Sequence, residues 1–301
     1  MNSSLPLISI VTPSLNQAAF LEETILSVLG QGYSNLEYVV IDGGSNDGST
    51  EIIRKYEDEL AYWSTERDEN HYDAVNKGFS RTRGEIMAWI NSDDKYLPWT
   101  FSVVSELFRT FPKIEWLTSA YLMHWDGRGR AVNCRFVGGF NRKTFLMGAN
   151  LPSGKFHVGS WIQQESTFWR RSLWERAGGA LDVKSVAADF DLWGRFFAHA
   201  ELYTVATPLG GFRVHGDQIS VRRYDEYIAS GKRILQRCGG QRPSVFFELL
   251  KFGLHSCFGG RPLNRLPRSL AAALAAAGII HPTPICQWRS NGWKIDRNYV
   301  F

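Results

Sequence analysis

The stretch "MAWINSDDKYLP" (Met87–Pro98) is an apolar run that stops on two adjacent carboxylates, Asp93 and Asp94. A short apolar run bounded by polar residues predicts a buried strand, here "EIMAWIN" over residues 85–91. Two like charges at the end of such a strand repel each other unless something positive meets them. A helix N-cap accounts for one Asp, and "PWTFSVVSELFRTF" (98–111) predicts a helix with Pro98 near its start. The second Asp remains unexplained. A divalent cation resolves the conflict. Mg²⁺ or Mn²⁺ takes hard oxygen ligands, typically one or two carboxylates together with phosphate oxygens of a substrate.

Upstream, the chain alternates strand and helix signals. "LISIVTP" (7–13), "LEYVVID" (36–42) and "AYWSTE" (61–66) read as strands, separated by helical patterns over 18–31 and 47–60. A further helix is predicted over 72–84, closed by Gly84. This order predicts an α/β fold with a mostly parallel, Rossmann-like sheet and helices on both faces. Ligands then sit beyond the carboxyl ends of the strands, where Asp42 and the Asp93–Asp94 pair should meet.

Downstream the alternation weakens. Two strands are predicted around Asp126-Gly127, a strand and helix over 165–179, a helix over 188–200 and one or two strands over 201–215. The catalytic domain is expected to span residues 1–220. Residues 221–301 are expected to form a helical, basic extension. Charge supports the division: residues 1–220 carry a net −5 and residues 221–301 a net +9.

Several classes are disfavoured. The four cysteines (Cys134, Cys238, Cys257, Cys286) form no C-x-x-C pair, which argues against zinc and dithiol chemistry and for a reduced, cytoplasmic setting. The N-terminus lacks the basic n-region of a signal peptide, and no run of eighteen apolar residues predicts a spanning helix. The first strand leads into "TPSLNQAAF" (12–20), without a G-x-G-x-x-G or P-loop pattern.

The segments "ISIVTPSLNQAAFLEETILSVLGQ", "VVIDGGSNDGST", "DENHYDAVNKGF", "GEIMAWINSDD", "QQESTFWRRSLWERAGG" and "ADFDLWGRF" follow one another in an order that resembles the family 2 glycosyltransferases of GT-A fold. The resemblance covers about residues 7–220. It implies inverting transfer of a sugar from a nucleoside-diphosphate donor, with UDP the usual nucleotide. It implies that Thr12, Pro13 and Asp42 border the nucleotide, that Asp93 contacts the ribose side and that Asp94 of the DXD-like "SDD" binds Mn²⁺ or Mg²⁺. Asp189 would be the general base. The strand "FRVH" would bring Arg213 and His215 towards the diphosphate, with His215 read either as a metal ligand or as a structural residue. Trp161 and Gln164 fall where the acceptor would bind. A single displacement needs one positioned carboxylate, worth about 10²- to 10⁴-fold in rate. Asp189 is favoured over Asp191, because helical residues two apart do not share a face.

Two positions depart from the family pattern. Gly43 and Ala188 stand where many relatives carry acids. The Q-x-x-R-W signature of processive synthases is absent, which favours one sugar per encounter. Bacterial members often act on lipid-linked saccharides in polysaccharide synthesis. The apolar and cationic mixture in "RPSVFFELLKFGLHSCF" (242–258), with Arg261, Arg265 and Arg268 beyond it, suggests contact with an anionic membrane surface. No nucleic-acid motif accompanies the basic tail, so no nucleic-acid partner is expected. A sugar nucleotidyltransferase is the competing enzyme class, but it would want a Gly-rich basic loop after the first strand. A binding module without catalysis is the other alternative, and the presence of both Asp94 and Asp189 argues against it.

Overall fold

The computed structural model describes residues 5–151, 159–216, 218, 222–241, 245–257 and 266–301. The first half builds the expected alternation. It comprises β1 (Ile8–Ser14), α1 (Ala18–Leu29), β2 (Leu36–Asp42), α2 (Ser49–Lys55), β3 (Tyr62–Thr65), α3 (His71–Ser80), β4 (Ile86–Trp89), β5 (Lys95–Tyr96) and α4 (Thr100–Thr110). Next come β6 (Trp116–Ser119), β7 (Tyr121–Trp125), β8 (Ala131–Phe136), α5 (Arg142–Leu146), β9 (Phe168–Arg170), α6 (Arg171–Arg176), α7 (Ala188–His199), β10 (Leu202–Val205) and β11 (Gly210–Arg213). The C-terminal part holds α8 (Tyr224–Arg237), α9 (Val245–Cys257), α10 (Arg268–Ala276), β12 (His281–Arg289) and β13 (Gly292–Val300).

The main sheet has nine strands in the order β13-β12-β10-β6-β9-β4-β1-β2-β3. β1 pairs parallel with β2 and β4, and β10 pairs parallel with β6 and β12; β9 runs antiparallel between β4 and β6. Strands buried on both faces read as continuous apolar runs, as β1 and β4 do. Their side chains alternate between two cores. Ile8, Ile10, Tyr38, Val40, Ile86 and Ala88 pack with α1 and α4 on one face. Val11, Val39, Ile41, Met87 and Trp89 pack with α3 and α7 on the other. Gly78 lets α3 lie against β1: a Cβ there would stand 2.4 Å from Val11 Cγ1. Trp169, Trp116 and Trp193 are buried rings of the second core.

α3 ends at Ser80, four residues short of the expected close at Gly84. The Asp126-Gly127 hairpin forms as β7 and β8, which join a second sheet of order β5-β11-β7-β8. That sheet carries β11 back beside the Asp93–Asp94 turn.

The expectation of a wholly helical tail needs correction. Residues 281–300 form a hairpin that adds two strands to the main sheet. Buried Ile285 and Cys286 reach β10, and Asn298 Nδ2 donates to the Gly138 carbonyl oxygen (2.6 Å). The sheet therefore crosses the expected boundary at residue 220. Arg261 and Arg265 lie outside the described residues, as does the Arg268 side chain. Among the described residues no helix is long and apolar enough to cross a membrane.

Candidate active site

β4 delivers the chain to Asn91–Asp94 at the carboxyl edge of the sheet, and β11 returns beside it. Asp94 is fully buried. Its Oδ1 accepts the backbone N–H of Arg213 (2.8 Å), and its backbone carbonyl accepts from Thr24 Oγ1 (2.6 Å). Burial, then the neighbouring Asp93 and Glu165 charges, hold its carboxyl well above the usual carboxylate range. Among the described residues no lysine or arginine side chain pairs with it.

Arg213, expected near a diphosphate, is engaged by the protein beside the Asp93–Asp94 turn. It is 1% exposed; its guanidinium bonds Glu23 Oε2 (2.5 Å) and the Asp93 carbonyl (2.5 Å) and covers the Phe20 ring. It fastens α1 to the Asp93 turn, and contact with a ligand would require breaking those bonds. His215 meets Asp93 rather than Asp94: Nε2 lies 3.0 Å from Asp93 Oδ2, with the ring on Phe20 at 4.7 Å.

At the end of β2, Asp42 is fully buried and engaged by its own turn. It accepts from Ser45 N (2.9 Å), Ser45 Oγ (2.5 Å) and Thr65 Oγ1 (2.7 Å). Thr12 is buried and bonded with the Tyr38 hydroxyl (3.0 Å), and Pro13 is buried beside it in β1. These three residues shape the strand edge, and Asp42 and Thr12 have protein partners already. Ser14 Oγ, one residue beyond Pro13, is buried without a partner among the described residues.

On the other side of the edge stands Asp189, in the first turn of α7. Its Oδ1 accepts from Tyr72 Oη (3.2 Å) and Tyr227 Oη (3.2 Å), and Oδ2 from Tyr227 Oη (3.1 Å). Burial raises its pKa; hydrogen bonds from the Phe190 N–H, Tyr227 and Tyr72 oppose the rise. Asp191 faces away, paired with Arg195 (2.9 Å) and Arg237. The two acids have different surroundings, as helical spacing requires.

Between the two halves runs the turn 163–167. Gln164 donates to the Trp89 carbonyl, and its Oε1 is buried without a partner among the described residues. Trp161 packs on Tyr227, with ring centroids 5.3 Å apart. Glu165 is buried with Oε1 unpartnered among the described residues, and burial pushes its pKa up to about 8, helped by Asp93 and Asp189. Glu165 thus feels both halves of the site. Sequence reasoning missed Glu165 and Tyr227. Tyr227 carried no local signal beyond the amphipathic stripe of its helix.

The acids fit a divalent cation by their chemistry: hard oxygen donors, a buried carboxylate with no cationic side chain paired to it among the described residues, and like charges in reach. Among the described residues no group of three or more His, Cys, Asp or Glu side chains forms a metal cage. The arrangement suits Mg²⁺ or Mn²⁺, which take remaining ligands from phosphate and water.

The family model described as Glycosyl transferase family 2 matches residues 9–118. An uncharacterized glycosyltransferase of Rickettsia prowazekii (strain Madrid E) is 36% identical over 225 residues, covering 74% of this chain and 69% of that protein. The chain belongs to glycosyl transferase family 2. Matches to the first curated relatives span only 30 to 36% of those proteins' lengths. Two solved structures share the family 2 chain's GT-A fold. The mannosyltransferase PcManGT of Pyrobaculum calidifontis, in complex with GDP-Man and Mn²⁺, aligns with a TM-score of 0.57 at 17% identity, covering 92% of this chain and 80% of that one. S. aureus TarS 1-349 in complex with UDP aligns with a TM-score of 0.55 at 16% identity, covering 84% and 72%.

Proposed function

We propose that the chain is a metal-dependent, inverting glycosyltransferase that moves one sugar from a nucleoside-diphosphate sugar to an acceptor hydroxyl. The observation that carries this reading is Asp94, fully buried at the end of the β4 turn beside Asp93 and His215, with no lysine or arginine side chain paired to it among the described residues. Asp94 would hold the cation, with Asp93 and His215 beside it. When bound, that cation supplies Lewis-acid neutralisation of the leaving diphosphate.

Asp189 takes the proton from the acceptor hydroxyl as its oxygen bonds to the anomeric carbon. The bond from that carbon to the diphosphate oxygen breaks in the same step, and the nucleoside diphosphate leaves with the electron pair. Burial strengthens Asp189 as a base, because a raised pKa makes proton transfer to it more favourable. Trp161 and Gln164 would border the acceptor, and Thr12, Pro13 and Asp42 would border the nucleotide. UDP is the favoured nucleotide; the structural neighbours hold UDP in one case and GDP-Man in another. The acceptor class is a glycan or lipid-linked saccharide of cell-surface polysaccharide synthesis. Leu249 and Leu250 on α9 and Leu270 on α10 are exposed, which supports peripheral contact with a membrane's inner face. Flotation with anionic vesicles tests that contact; unchanged binding after replacing Leu249 and Leu250 by Ser would argue against it.

The reaction is tested with labelled nucleotide sugars and a mixed saccharide acceptor pool. Asp189→Asn should lose about 10²- to 10⁴-fold in product formation. Undiminished transfer by this variant would overturn the assignment of the base.

A further inference from the structure

We propose that Tyr72 and Tyr227 are positioning residues that clamp the Asp189 carboxylate from two sides, so that the C-terminal segment contributes a residue to the active site. The inference rests on Asp189 being the base. Tyr72 comes from α3 and Tyr227 from α8, beyond the expected catalytic boundary. Both hydroxyls lie 3.1–3.2 Å from Asp189 oxygens.

α8 is held in register on α7 by several independent contacts. Ile228, Ile234 and Leu235 are buried, Ser230 Oγ lies 3.0 Å from Ser185 Oγ, and Arg237 pairs with Asp191. Trp161 packs edge-on against the Tyr227 ring, and His71 packs on Tyr72 with centroids 3.8 Å apart. The phenols are therefore fixed in position rather than swinging in solvent.

Their chemistry suits the task. Burial raises both phenols well above their ordinary range, so they remain donors at neutral pH. Donation to a carboxylate favours its ionised form, whereas burial alone favours the protonated form, which cannot accept a proton. Of the tyrosine bonds, Oδ1 accepts two and Oδ2 one, the Tyr227 hydroxyl being shared between the two oxygens. The ionisable groups facing Asp189 are Tyr72 from α3, Tyr227 from α8 and Glu165 from the 163–167 turn. Asp191 on its own helix is neutralised by Arg195 and Arg237.

Tyr72→Phe and Tyr227→Phe in the full chain keep the rings and remove only the hydroxyls. The Asp189 side-chain carboxyl is followed by ¹³C NMR against pH, its signal assigned by loss in Asp189→Asn. Each variant should raise the midpoint by about one pH unit, as expected for losing one hydrogen bond to a charged group. Tyr56→Phe, whose hydroxyl bonds Glu22, should not move it. The acid limb of kcat/KM for hydrolysis of UDP-GlcNAc or GDP-mannose should shift with the midpoint, with KM for the donor unchanged. A midpoint unmoved in both clamp variants overturns the proposal. If one variant fails to fold, the other carries the test. Full activity of Asp189→Asn would remove the base assignment instead, and the titration would still report whether the clamp exists.

Discussion

Replacing Glu165 with Gln should stabilise the protein at neutral pH and leave it unchanged in acid. The side chain is buried with one oxygen unpartnered among the described residues, and burial raises its pKa to about 8 against an ordinary 4.5. An acid whose folded-state pKa is raised releases its proton first in the unfolded chain. Below about pH 4.5 both states are protonated and the group has no effect on stability. Between 4.5 and 8 the unfolded state is favoured by about 1.4 kcal/mol per pH unit. At pH 7 the accumulated penalty is about 3 kcal/mol. Gln removes the titration and keeps the shape. Urea unfolding of both proteins at pH 4.5, 6 and 7 measures the difference. The gain should be absent at pH 4.5 and grow to about 3 kcal/mol at pH 7. A difference independent of pH, or a loss at pH 7, would refute the placement of Glu165 among uncompensated acids.

Arg213→Met should destabilise the fold by about 1–2 kcal/mol, because it leaves the Asp93 carbonyl without its buried donor while Glu23 keeps its pair with Lys95; urea unfolding checks this, and an effect on donor affinity alone would contradict it. Deleting residues 281–301 removes buried Ile285 and bares β10, so Tm should fall by at least about 5 °C. A truncated chain with unchanged Tm would show the hairpin to be dispensable.

The fold's first half was legible because its strands and helices differ in period. "ISIVTPS" and "LEYVVID" are short β-branched runs, while α1 spaces Leu21, Ile25 and Val28 along one buried face. The hairpin at 281–300 was not, because Pro282 and Pro284 in β12 read as loop residues. They are tolerated because β10 pairs with β12 only at Ile285 and Cys286, so neither proline is asked for a ladder bond on that side. Of the site, Asp94 and Asp189 were legible as residues, since each carboxylate stands where an apolar element begins or ends. Their surroundings were not. Arg213 reads as a free cation in "FRVH", yet Glu23, 190 residues away, claims it. Tyr227 lies 38 residues beyond Asp189, in a segment whose charge suggested a separate task. Contacts of that range are set by packing of whole helices and leave no trace in local spacing.

The central claim is that Asp94 grips a cation that grips a diphosphate. Calorimetric titration of UDP, GDP and dTDP into the full chain, with and without Mn²⁺, tests it directly when repeated on Asp94→Asn. Binding of one nucleotide that requires Mn²⁺ and vanishes in the variant is the expected result. Equal nucleotide binding without the metal, or undiminished Mn²⁺-dependent binding in Asp94→Asn, would contradict it.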